Sequence, residues 1–181
     1  MTISPTWATR FKNGSSTGTP ASESKLGTRA KVYIIMVRDT PPKIDPLKPI
    51  HRAIMNNDVA AFRAEVAAGV DINLPGPEDM TPLHIAADRG NVEIAKELLD
   101  EGAHVDPINV WGNTPLWVSI RKRRNCPDGS MIKLLLDRGA NPNTSESDSP
   151  PVRTVRLVAG FPEEWAQLVE TRAAAIKDAR A

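Results

Sequence analysis

From residue 49 onward, apolar positions recur at helical spacing in short paired segments, each pair closed by a glycine. Residues 81–102 show the pattern best. Leu83, Ala86 and Ala87 line one side of a short helix, Gly90 and Asn91 turn the chain, and Val92, Ala95, Leu98 and Leu99 line one side of a second helix. Thr81 stands where a side-chain oxygen caps a helix start. Pro82 fits the first turn, where its missing N–H costs nothing. Gly102 stands where a helix ends in the left-handed conformation. Two helices of this length cannot bury their own apolar face, so the pattern predicts units that stack and share it.

The unit repeats. Pro49-Ile50-His51-Arg52-Ala53-Ile54 is echoed by Pro82-Leu83-His84-Ile85-Ala86-Ala87 and by Pro115-Leu116-Trp117-Val118-Ser119-Ile120, with 33 residues between successive prolines. The closing glycines, Gly69, Gly102 and Gly139, follow their prolines by 20, 20 and 24 residues, so the third unit carries about four extra residues between its helices. A weaker fourth echo begins at Pro151, 36 residues after Pro115, and keeps Val152, Val155, Leu157, Val158, Phe161, Trp165 and Leu168.

The run from Thr81 to Ala87, then Gly90-Asn91, Leu98-Leu99 and Gly102-Ala103, resembles an ankyrin repeat almost position for position, and the stretch from Gly112 to Asn143 resembles small bacterial ankyrin-repeat proteins. The resemblance covers about residues 43–171. It implies an all-α fold: an ankyrin-repeat solenoid of about three repeats plus a degenerate C-terminal capping repeat. Residues 1–42, rich in Ser, Thr, Gly and Pro, are expected to form a disordered arm. Residues 172–181 are expected to form a tail that extends the last helix. A strip at 32–37 is a candidate for docking on the open side of the first unit.

The resemblance also implies where a partner binds: just before each Thr-Pro pair and just after each first helix. Those positions are Met55 and Asn56 in unit 1, Glu78, Met80, Asp88 and Arg89 in unit 2, and Trp111, Asn113, Arg121 and Lys122 in unit 3. Trp111 is the preferred anchor, because a finger tip does not need it for packing and because tryptophan dominates binding hot spots. His51 and His84 share one repeat position, where the family's histidine ties neighbouring turns together by hydrogen bonds.

Charge changes this picture little. The formal net charge is +1. It divides into +4 on residues 1–42 and −3 on the rest, a basic arm before a mildly acidic body. With so little net charge there is no bulk attraction to nucleic acid or anionic membrane. A single cysteine, Cys126, excludes an intrachain disulfide and points to a reducing compartment, with the cytoplasm as the expected address. The longest apolar run, at 32–37, is too short to span a bilayer.

Candidate chemistry is sparse. A metal site needs converging ligands, and no Cys, Asp or Glu recurs beside His51 and His84; His104 is placed in a loop. Cys126 lies among cations that would favour its thiolate, but no acid or histidine is placed by the sequence to activate it. The basic run 121–124 (Arg121, Lys122, Arg123, Arg124) is a solvated helix end, complementing the helix dipole, or a contact for phosphates or an acidic partner. The expected role is a non-catalytic protein-interaction module. It is expected to be monomeric, with another protein as partner and with no cofactor, metal, membrane or nucleic acid. The alternatives are an accessory phosphate or nucleic-acid binder using the arm and residues 121–124, and an antidote to a toxin.

Overall fold

Among the described residues, four helix pairs follow one another. They are α1 (Pro49–Met55) with α2 (Val59–Ala67), α3 (Pro82–Arg89) with α4 (Val92–Asp100), α5 (Pro115–Arg121) with α6 (Ser130–Asp137), and α7 (Pro151–Leu157) with α8 (Glu163–Asp178). This computed structural model describes residues 47–179. The expectations for the basic arm 1–42 and the strip 32–37 lie outside the described residues.

The first helices form one row, α1 on α3, α3 on α5 and α5 on α7. Among the second helices, α4 packs on α6 and α6 on α8. Between the rows lies a continuous aliphatic seam that includes Ile50, Leu83, Leu98, Leu116, Leu135 and Val169, each at most 1% exposed. No pair closes its own core, and the shared seam does so.

Polar side chains set the register between units. Asn73 Oδ1 accepts the N–H of His104 at 2.8 Å, and Asp106 Oδ2 accepts the N–H of Asn141 at 2.9 Å. Asn73 and Asp106 each stand four residues after the glycine that closes a second helix, so one device is used twice. Burial pushes the Asp106 carboxyl above its ordinary value, against the pull of this hydrogen bond. The sequence carried the signal, an Asn and an Asp 33 residues apart, but their role depends on the neighbouring unit. On the second-helix side Arg63 bridges to Glu93 and Glu97; such exposed pairs add little stability.

The insertion in unit 3 is built in rather than looped out. It makes a 3₁₀ turn at Arg123–Asn125. Asn125 Nδ2 donates to Asp88 O in unit 2, while Arg123 Nη2 donates to Ala159 O in unit 4 at 2.7 Å. Gly90 takes φ +73°, and a Cβ there would meet the Asn125 carbonyl, with its carbon at 2.8 Å. Gly90→Ala is therefore expected to cost about 1–3 kcal/mol, combining left-handed strain with displacement of this backbone. Urea unfolding measures it; a variant as stable as the wild type would contradict the close approach.

The fourth pair ends the stack. α8 is 16 residues long and runs past residue 171 to Asp178, burying Ala173 on the way. Its outer positions Glu164, Gln167, Thr171 and Arg172 are exposed, the polar face that a terminal unit must present to water.

Candidate partner-binding face

The buried histidines hold the fingers that precede the first helices. His84 Nε2 donates to Asn113 O at 3.0 Å, and Nδ1 accepts from Thr81 N–H at 3.2 Å and from Thr81 Oγ1 at 3.0 Å. One neutral imidazole thus joins its own helix start to the next finger. Burial pushes the His84 pKa down to about 4. His51 Nε2 donates to Leu74 O at 2.9 Å. Its Nδ1 has no partner among the described residues, since Lys48 stands where unit 2 has Thr81. Burial lowers its pKa as well. In unit 3 Trp117 takes the histidine slot, and its buried indole N–H finds no acceptor among the described residues. Thr114 Oγ1 caps that helix by accepting Trp117 N–H at 3.3 Å.

Asn109 organises the finger of unit 3. It is buried, and its Oδ1 accepts the N–H groups of Trp111 and Asn113 at 3.1 and 3.0 Å. With the backbone held from inside, the tip projects: Val110 is 57% and Trp111 53% exposed. Val110 N–H donates to Glu78 O at 3.1 Å, which locks this finger to the preceding one. Glu78 and Asp79, at that preceding tip, take φ +62° and +56°, an uncommon conformation for residues with a Cβ.

Two adjoining clefts run between the fingers and the ends of the first helices. One, of about 300 Å³, lies between units 1 and 2 and includes Met55, Pro77, Met80, Ile85 and Arg89 in its lining. The other, of about 500 Å³, lies between units 2 and 3, where Met80, Trp111, Trp117 and Val118 supply the apolar wall. Glu78, Met80 and Asp88 belong to both. The Arg121 guanidinium lies over the Trp117 ring, 5.7 Å from its centroid. Lys122 Nζ is 3.1 Å from Asp88 Oδ1.

Nine of the ten residues expected from the sequence line these two clefts: Met55, Glu78, Met80, Asp88, Arg89, Trp111, Asn113, Arg121 and Lys122. Asn56 lines neither; it caps the C-terminus of α1 with its backbone N–H on Arg52 O. Asn113 also departs from expectation. It is 7% exposed, and both its backbone groups are used within the finger and by His84, so it supports the tip more than it presents surface. The sequence missed Trp117 and Val118 in the cleft, and the exposed apolar Val110 and Leu157. A signal for Leu157 existed: counted from the helix prolines, it occupies the same position as Met55, Asp88 and Arg121.

The basic run does not act as a unit. Lys122 is matched by Asp88 and Arg123 by the Ala159 carbonyl, while Arg121 and Arg124 are exposed without a carboxylate partner among the described residues. Cys126 is half-buried, and contrary to the sequence expectation it has an acid beside it. Its Sγ donates to Asp128 Oδ1 and lies against Ser130 Oγ, both at 3.1 Å. The Cys126 thiol, with the Ser130 hydroxyl and N–H that also donate to Asp128 Oδ1, holds that carboxyl below its ordinary value. His104 is exposed in its loop.

Comparison with known proteins agrees with this architecture. A family model described as ankyrin repeats, in three copies, matches residues 50–146. Acyl-CoA-binding domain-containing protein 2 of Arabidopsis thaliana is 33% identical over 101 residues, covering 55% of this chain and 28% of that protein. Ankyrin repeat and SOCS box protein 11 of Homo sapiens is 34% identical over 93 residues, covering 51% and 27%. The chain spans less than a third of the length of the curated relatives it matches. Among solved structures, the crystal structure of the human ASB11 ankyrin repeat domain aligns with a TM-score of 0.58 at 28% identity, covering 68% of this chain and 53% of that one. No helix among the described residues is long and apolar enough to cross a membrane.

Proposed function

Because the chain belongs to the ankyrin-repeat family, whose repeats are in general protein–protein interaction modules, we propose that it binds another protein through the clefts between its finger tips and first-helix ends. The observation that carries this reading is Trp111, a large side chain held half out of the surface by a hydrogen-bonded finger, beside an apolar cleft of about 500 Å³. Such a side chain adds little to the fold and offers a large rigid area for association. The role is that of a non-catalytic module acting as a monomer in the cytoplasm, and a toxin is one kind of partner it accommodates. A phosphate-binding role draws less support, since two of the four cations at 121–124 are already engaged within the protein.

Trp111→Ala is expected to weaken partner affinity by about 2 kcal/mol, a hot-spot loss, and to leave the melting temperature nearly unchanged. Recovery of partners from native lysate with the wild type and with a Trp111/Arg121 double substitution, followed by titration of each purified partner, checks it. A partner held equally by both proteins would rule out this face. A steep salt dependence of that affinity would instead favour phosphate contacts.

A further inference from the structure

The capping pair carries a feature that a terminal unit does not need. Leu157, the last residue of α7, is 67% exposed, the most exposed of the large apolar side chains among the described residues. Next to it in the chain, Arg156 pairs with Glu163 and Glu170 at 2.8 and 2.6 Å. Terminal units are selected to be polar outside, so an apolar side chain left in water here calls for a reason. Its position supplies one, since Leu157 continues the row formed by Met55, Asp88 and Arg121 at the ends of the first helices.

The charges along this row run in one direction. On the finger side Glu78 has no cation within ion-pairing distance among the described residues, and at the α5 end Arg121 has no carboxylate. Asp88 is shared by Lys122 at 3.1 Å and Arg89 at 3.8 Å. Arg121 stacks its flat face on Trp117, which leaves the edge N–H groups of the guanidinium for a carboxylate. The order is therefore an apolar tip at Trp111, a cation at Arg121 and an apolar side chain at Leu157.

We infer that the recognition face extends onto the fourth unit and accepts an acidic, apolar segment of a partner protein. Two apolar side chains of that segment meet Trp111 and Leu157, and a carboxylate between them meets Arg121. This inference rests on the partner-binding reading above and adds the chemistry of the partner to it.

The test uses the full chain as bait for a displayed random peptide library, followed by fluorescence anisotropy of synthetic copies of the selected peptides. Supporting results are enrichment of peptides with a carboxylate between apolar residues and a rise in Kd of about tenfold for both Leu157→Ser and Arg121→Gln. Glu78→Gln should lower Kd, because it removes a like charge from the face that receives the acidic segment. Leu157→Ser should keep the wild-type melting temperature, which separates lost contact from lost fold. Peptides that depend on Trp111 but ignore Leu157 and Arg121, or that are basic, would overturn the inference while leaving the face in place. A library that yields no Trp111-dependent peptide would overturn both. Sedimentation that shows wild-type self-association abolished by Leu157→Ser would assign Leu157 to a second copy of the chain and would also overturn it.

Discussion

Leu98→Ala is expected to lower the unfolding free energy by about 2–5 kcal/mol, the range for truncating a buried leucine whose site cannot collapse. Leu98 is 0% exposed and lies on α4, which packs on α3 in its own unit and on α6 in the next. The cavity would open inside the shared seam. Stability in a stack is a sum of unit and interface terms, so a defect in an inner unit weakens its own pair and its junction with the next. Folded stability is about 5–15 kcal/mol for a domain, and this loss is a large part of it. Urea unfolding followed by circular dichroism gives the value, and Leu157→Ser, at an exposed site, serves as the reference with an expected change within about 0.5 kcal/mol. Equal midpoints for Leu98→Ala and the wild type would mean that the aliphatic seam is not what holds the units together.

Acidification is expected to produce the second large effect, through His84. The folded protein holds this imidazole neutral down to about pH 4, whereas in the unfolded chain it takes a proton near pH 6.5. Between those values the unfolded state binds more protons, so stability falls as pH falls, by about 2 kcal/mol at pH 5 and about 3 kcal/mol at pH 4 relative to pH 7. His51, lowered by burial, acts in the same sense. Asp106, raised by burial, acts in the opposite sense, because the folded state binds its proton more readily. Glu97, held down by Arg63, adds a loss that begins within the ordinary carboxylate range, as the unfolded carboxyl takes its proton, and grows below it. Denaturant midpoints measured across the window test this, with His84→Gln as the comparison. The amide can donate to Asn113 O but cannot titrate, so the variant should be weaker at pH 7 and show a flatter slope between pH 6.5 and 4. Parallel slopes in the two proteins would remove His84 as the source.

Local signals were sufficient for the helices. The spacing of Leu83, Ala86 and Ala87, the prolines 33 residues apart and the closing glycines each act within a turn or two of the chain, so they could be read from the sequence without the fold. Burial of Leu83, Leu98, Leu116 and Leu135 in one layer follows from the same periodicity, since a face repeated at a constant interval has only its own copies to pack against. Most of the candidate face was legible too, because repeat position determines which residues end up side by side.

What the tertiary structure decided were matters of pairing between units. Asn113 looked like a surface residue and is buried, because His84, 29 residues earlier, takes its carbonyl. The run 121–124 looked like one basic patch and is divided, because Asp88 and Ala159 come from the units on either side. Leu157 was one apolar residue among several in the fourth echo, and α7 ends with it in water. The chain thus settled which segments are helical and which of their faces are apolar, because those preferences act over a few residues. Which polar and apolar groups remain available to a partner depended on contacts across some thirty residues, and only stacking the units brings those groups within hydrogen-bonding reach.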